Sequence, residues 1–216
     1  MTNISPEILQ TYLVAGTQDT GVANFLPTLT AALKAGITCF QFREKGPSSL
    51  QDATDIQYYA QKAQQLCQQY QVPFIIDDRL DLALALHADG SHVGQSDQPW
   101  PKIEIAKQHG LITGLSCHNQ AEILSSHQQP VLDYLGVGPI FPTQSKADAK
   151  APLGTLQLAE WITLSVFPVV AIGGITTTNA SKVAATGAAG AAIISVITQS
   201  PNIATTVQTL HSFWMH

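Results

Sequence analysis

"YLVAGTQDTGVANF", residues 12 to 25, decides the fold. A short apolar run gives way to a polar loop and then to the start of a helical pattern. A strand feeding a helix in this way opens either an open doubly wound sheet or a closed barrel. The nucleotide-binding form of the open sheet carries G-x-G-x-x-G in this first loop, where the backbone approaches a pyrophosphate. The loop "GTQDTGVANF" does not match that pattern.

Working outward, strand-like runs recur at 12–16, 37–42, 73–77, 91–94, 112–116, 133–138, 168–173 and 191–196. Each is followed by a longer helical pattern. The clearest lies at 48–70, where Ile56, Tyr59, Ala63, Leu66 and Tyr70 recur every three or four residues. The glutamine-rich end of that segment, "QQLCQQYQ", reads as a solvated face. Eight strands alternating with eight helices imply parallel pairing through right-handed crossovers. With 216 residues, each unit has about 27, enough for a strand, a helix and two loops. No linker or compositional shift divides the chain. The expectation is an α/β protein, a (β/α)₈ TIM barrel forming a single domain over 1–216.

Composition narrows the function. The chain is 45% hydrophobic and 12% charged, so it can build a sizeable core and is not a disordered chain. Its formal charge is −5 with no Lys/Arg cluster, which argues against a nucleic-acid partner. An anionic ligand must then be caught by a few placed cations. No apolar run is long enough to span a bilayer. The start, "MTNISPEILQ", has no basic segment leading into an apolar one, so a secretory leader is not expected. Cys39, Cys67 and Cys117 are odd in number and far apart, as reduced thiols of a cytoplasmic protein would be.

In such barrels chemistry sits at the C-terminal ends of the strands. Polar residues collect there. "FQFREKG" (40–46) places Phe40 and Phe42 on one side, with Gln41, Arg43 and Lys45 on the other. "IIDDR" ends in Asp77, Asp78 and Arg79; "VGQSD" gives Gln95 and Asp97; "GLSCHN" gives Ser116, His118 and Asn119. "GPIFPTQSKADAK" adds Thr143, Ser145 and Lys146. Singly, the Asp pair could cap the next helix, and Ser116 and Asn119 could be turn or cap residues. Their delivery to one rim is what favours a site. "GGI" after strand 7 leaves backbone N–H groups open to a phosphate beside a helix N-terminus, with Gly174, Ile194 and Ser195 as donors. The carboxylates of Asp78 and Asp97, among Arg43, Lys45 and Arg79, fit either a salt-bridge network or a Mg²⁺ site completed by phosphates. His87 and His92 have no matching pair of ligands, so zinc is not expected. Nor is there a G-x-S-x-G, H-E-x-x-H or P-loop signature.

Seven motifs, "QFREK" (41–45), "DDR" (77–79), "DGSHVGQSD" (89–97), "GLSCHN" (114–119), "DYLGVGPIFPTQSK" (133–146), "AIGGI" (171–175) and "IIS" (193–195), occur in order over about residues 12–197. In these the chain resembles the thiamine-phosphate synthase family. The resemblance implies a (β/α)₈ transferase that joins 4-amino-2-methyl-5-hydroxymethylpyrimidine diphosphate to thiazole phosphate, with Mg²⁺, releasing pyrophosphate. It implies that Gln41, Phe42, Arg43, Glu44, Lys45 and Asp77 hold the diphosphate substrate and that Asp78 and Asp97 bind the metal. Ser116 would face the pyrimidine. Thr143, Gln144, Ser145, Gly174, Ile194 and Ser195 would bind the thiazole phosphate, with Lys146 reaching the diphosphate. Arg43, Lys45, Ser116 and Lys146 would be the catalytic set. Two phosphorylated small molecules would be its partners, and a homo-oligomer is compatible with this.

Two positions depart from the common pattern: Asp77 replaces a usual Asn and Ser145 a frequent Thr. Asp77 adds an anion near a diphosphate, so substrate binding, approach to the metal and pairing with Arg79 all stay open for it. Rival readings are a thiazole tautomerase using His118, a Schiff-base aldolase using Lys146, and a non-catalytic phosphate-ligand sensor.

Overall fold

The computed structural model describes residues 4–96, 99–128, 131–143 and 151–215. Eight strands are present: β1 (Thr11–Ala15), β2 (Cys39–Phe42), β3 (Phe74–Asp77), β4 (Gly90–Val93), β5 (Ile112–Cys117), β6 (Tyr134–Val137), β7 (Val169–Ile172) and β8 (Gly190–Ile193). They pair in parallel in sequence order, and β8 returns to β1 to close the barrel. This is the expected (β/α)₈ fold.

The helices are α1 (Thr17–Thr20), α2 (Val22–Ala35), α3 (Ala53–Tyr70), α4 (Leu80–Ala85), α5 (Pro99–Gln108), α6 (Gln120–Ser126), α7 (Gly154–Leu164), α8 (Ala180–Ala184), α9 (Ser195–Thr198) and α10 (Ile203–Ser212). The expectation of one helix per strand therefore needs correcting after β1 and after β8. Gly21, at φ +74°, separates α1 from α2, and a segment containing Pro201 separates α9 from α10. The α3 helix starts later than expected because Asp52 caps it, its Oδ1 accepting the Thr54 N–H at 2.8 Å. Its glutamines are not all solvated. Gln64 is buried, and its amide donates to the Leu86 carbonyl at 2.7 Å.

Strand alternation builds two cores. Leu13, Phe40, Phe42, Phe74, Leu115 and Leu135 point outward beneath the helices. Tyr12, Val14, Cys39, Ile75, Tyr134 and Val170 fill the barrel interior. The side of β2 that carries Gln41 therefore leads inward, and one step further along brings Arg43 to the mouth. All three cysteines are buried and free. Burial pushes the Cys117 thiol up to about 12 and raises those of Cys39 and Cys67 as well, so none is a reactive thiolate. Among the described residues no helix is long and apolar enough to cross a membrane.

Candidate active site at the C-terminal rim

A cavity of about 770 Å³ opens at the C-terminal ends of the strands. Its lining includes Arg43, Lys45, Asp77 and Asp78 from the β2 and β3 ends, with Ser116 and His118 from the β5 end. Thr143, Gly174, Ile194 and Ser195 come from the ends of β6, β7 and β8. Residues spread over some 150 positions of sequence are thus brought to one concavity.

On one side two ion pairs lie next to each other. Arg43 Nε is 3.3 Å from Asp77 Oδ2, and Lys45 Nζ is 2.7 Å from Asp78 Oδ2. Asp77 is therefore matched to Arg43, not to the exposed Arg79. Asp78 sits at φ +58°, a left-handed turn that Asp tolerates better than most residues. Its N–H donates to the His92 carbonyl at 2.8 Å, and its Oδ1 accepts the Gly94 N–H at 3.2 Å. Burial alone would raise this carboxyl. The Lys45 hydrogen bond and charge, then the Gly94 N–H, hold it below its ordinary value. It is ionised at neutral pH. The helix-cap alternative for these aspartates does not hold: Arg79 occupies the N-cap of α4, and no side chain caps it.

On the opposite side, the chain leaving β7 turns through Gly173 at φ +100° and Gly174 at φ +64°. A Cβ on Gly174 would lie 2.4 Å from the Pro142 carbonyl oxygen. The glycine thus admits the β6 loop, which carries Thr143, against the β7 loop. Sequence reasoning assigned that space to a ligand. The N–H groups of Gly174 and Ile175 have no hydrogen-bond partner among the described residues. Asn179 braces the turn, donating to the Gly174 carbonyl at 3.0 Å and accepting the Thr176 N–H at 2.7 Å.

Between the two sides stands Ser116. Gln95 holds its carbonyl at 2.8 Å, and His92 Nε2 lies 2.9 Å from its Oγ. His118 Nδ1–H donates to the Gly138 carbonyl at 2.8 Å. Asn119 is a cap residue, accepting the Glu122 N–H at 2.9 Å at the start of α6.

Three residues expected at the substrate are not among those lining this cavity. Phe42 is on the outward side of β2, 2% exposed, with its ring 5.8 Å from that of Phe25. Strand parity makes this necessary, since Phe42 shares a face with Phe40. Glu44 is occupied by Thr17, through both its N–H and its hydroxyl, and by the Leu50 N–H at 2.8 Å. It fastens the β2 loop. Gln41 is buried below the cavity and donates to the Tyr12 hydroxyl at 2.9 Å. Asp97, Gln144, Ser145 and Lys146 lie outside the described residues. Sequence reasoning missed Lys102, whose Nζ is 3.4 Å from the Asp78 carbonyl oxygen, and the inward-facing His92 and Tyr134. Alternation on β4 and β6 could have found the last two, because a polar residue at an interior strand position must be satisfied there.

Comparison with known proteins identifies the family. A family model described as thiamine monophosphate synthase matches residues 11–197. The chain is 70% identical over 214 residues to the thiamine-phosphate synthase of Latilactobacillus sakei subsp. sakei, covering 99% of this chain and 96% of the relative. Over 203 residues it is 46% identical to the thiamine-phosphate synthase of Pediococcus pentosaceus, covering 94% of each. Among solved structures, thiamine phosphate pyrophosphorylase from Pyrococcus furiosus superposes with a TM-score of 0.83 at 31% identity, covering 96% of both chains. The chain belongs to the thiamine monophosphate synthase family, and it is an enzyme that forms thiamine phosphate.

Proposed function

We propose that the cavity joins 4-amino-2-methyl-5-hydroxymethylpyrimidine diphosphate to 4-methyl-5-(2-hydroxyethyl)thiazole phosphate by ionisation of the diphosphate. The observation that carries this reading is a single cavity with paired cations at one side and a glycine turn with open N–H groups at the other. The first suits a diphosphate and the second a phosphomonoester.

Arg43 and Lys45 face two carboxylates, so the described charges nearly cancel. A diphosphate needs further positive charge there. One ionised carboxylate in an oxygen-rich cavity fits Mg²⁺, which takes one or two carboxylates and completes its shell with water and phosphate oxygens. Among the described residues no group of three or more His, Cys, Asp or Glu converges to form a closed protein cage. Asp78, with Asp97, would hold the ion, which when bound would neutralise charge on the diphosphate oxygens.

The protein's own part is positioning and charge stabilisation. Arg43, Lys45 and Lys146 take the charge of the leaving pyrophosphate as the methylene C–O bond breaks. Ser116 orients the pyrimidine whose methylene becomes cationic. Thr143, Ser145, Ile194, Ser195 and the Gly174 turn hold the thiazole phosphate so that the thiazole nitrogen lone pair forms the new C–N bond. No general base is needed for that bond. The same reading makes this a cytoplasmic enzyme of two phosphorylated small molecules, supported by its buried free thiols.

Incubation with both substrates, with and without Mg²⁺, tests this by mass detection. Thiamine phosphate and pyrophosphate in equal amounts, and only with the metal, are expected. Binding of both substrates without product would leave a sensor.

A further inference from the structure

A chain of hydrogen bonds runs up the barrel interior to Ser116. Gln41 Nε2 lies 2.9 Å from the Tyr12 hydroxyl, which is 2.8 Å from the Tyr134 hydroxyl. The Tyr134 hydroxyl is 3.0 Å from His92 Nδ1, and His92 Nε2 is 2.9 Å from Ser116 Oγ. The interior is shaped to hold these rings. A Cβ on Gly114 would lie 2.3 Å from Tyr134 Cζ and 2.4 Å from His92 Nδ1.

Each hydroxyl has one proton, and the order of protons follows from the lower end. The Gln41 amide is a donor, so Tyr12 accepts from it. Cys39 also lies beside the Tyr12 hydroxyl, but its thiol sulfur is a weak acceptor that gives its own hydrogen to the Pro73 carbonyl, so the Tyr12 proton goes to the Tyr134 hydroxyl at 2.8 Å. Tyr134 then gives its own proton to His92 Nδ1. A neutral imidazole accepting at Nδ1 is protonated at Nε2, and that N–H donates to Ser116 Oγ. Ser116 Oγ has no other partner among the described residues, so its proton is free for the cavity it lines. Burial raises both phenols well above their ordinary range, which keeps both of these protons in place.

We infer that Tyr134 and His92 are positioning residues that fix Ser116 as a hydrogen-bond donor into the cavity, so that it selects a ring bearing an acceptor nitrogen at that point. This rests on the reading of Ser116 as the residue facing the pyrimidine. A Ser116 free to rotate would accept a donor equally well and would discriminate less.

Two measurements test it. In the substrate-free protein, long-range ¹H–¹⁵N correlation reads the imidazole tautomers, with the His92 signals identified by their loss in His92→Gln. The inference requires Nε2–H with bare Nδ1; the opposite tautomer overturns it. In kinetics, Tyr134→Phe should raise KM for the pyrimidine diphosphate roughly tenfold and leave KM for the thiazole phosphate unchanged. Adding Tyr134→Phe to Ser116→Ala should cost nothing further, because both changes remove the same donor. Additive losses would mean that Tyr134 acts only through packing, and would overturn the inference. A wild type making no thiamine phosphate would instead refute the proposed reaction, while the tautomer measurement would still decide the proton order.

Discussion

Lys45 Nζ lies 2.7 Å from Asp78 Oδ2, so the cation assigned to the diphosphate and the carboxylate assigned to the metal neutralise one another in the substrate-free cavity. Asp78→Ala should lose most turnover and raise the Mg²⁺ concentration required, with the fold retained because the residue is on the rim. The carboxyl is held below its ordinary 3.8, so its contribution to stability is fully present above that value and is lost as pH falls through the lower, folded value. The melting-temperature difference between wild type and Asp78→Asn should be flat between about pH 5 and 8 and close only in stronger acid. Closure near neutral pH would show that Lys45 does not hold the carboxyl down.

Asp77 is 3.3 Å from Arg43 Nε and places an anion beside the proposed diphosphate. Asp77→Asn keeps the shape and removes the charge. KM for the diphosphate should fall by roughly fivefold at low salt, equivalent to about 1 kcal/mol, and that for the thiazole phosphate should not move. A rise in KM would show that the pair serves to orient Arg43 more than it opposes the substrate.

Gly174→Ala tests the junction between the β6 and β7 loops. The new Cβ would meet the Pro142 carbonyl at 2.4 Å from a backbone at φ +64°. The left-handed conformation alone costs about 1–2 kcal/mol. Melting should fall by several degrees, and KM should rise for the thiazole phosphate, because Thr143 moves with its loop. A change confined to the diphosphate would reverse the assignment of the two ends.

At the opposite face of the barrel, buried Asp133 binds Lys107 Nζ at 2.7 Å and the Thr113 N–H at 2.9 Å. Asp133→Asn leaves Lys107 without its counter-charge. A cost of about 2–3 kcal/mol is expected, or roughly 4–12 °C in melting temperature. Kinetic constants at 25 °C should stay at wild-type values, since nothing in this cluster lines the cavity.

The barrel was readable because each strand carries its own alternation and each loop its own polar end. Arg43, Lys45, Asp77, Asp78, Ser116, Thr143, Gly174, Ile194 and Ser195 were placed at the cavity by strand-end position, and they line it. Phe42 and Glu44 belong to the same motif but do not line the cavity. Phe42 follows the outward parity of Phe40, which alternation alone shows, while Glu44 is claimed by Thr17, the first residue of α1, 27 residues away and connected to it by no local pattern. His92 was weighed only as a metal ligand. Its partners come from β5 and β6, so its role appears only once the barrel closes around it.

The central claim is that the cavity has two ends, one for each substrate, and steady-state kinetics of two variants tests it most directly. Arg43→Ala should raise KM for the pyrimidine diphosphate by on the order of 10²-fold, and Ser195→Ala should raise KM for the thiazole phosphate by roughly tenfold. Each variant should leave the other substrate's constant unchanged. Equal shifts in both constants, from either variant, would contradict the two-ended cavity.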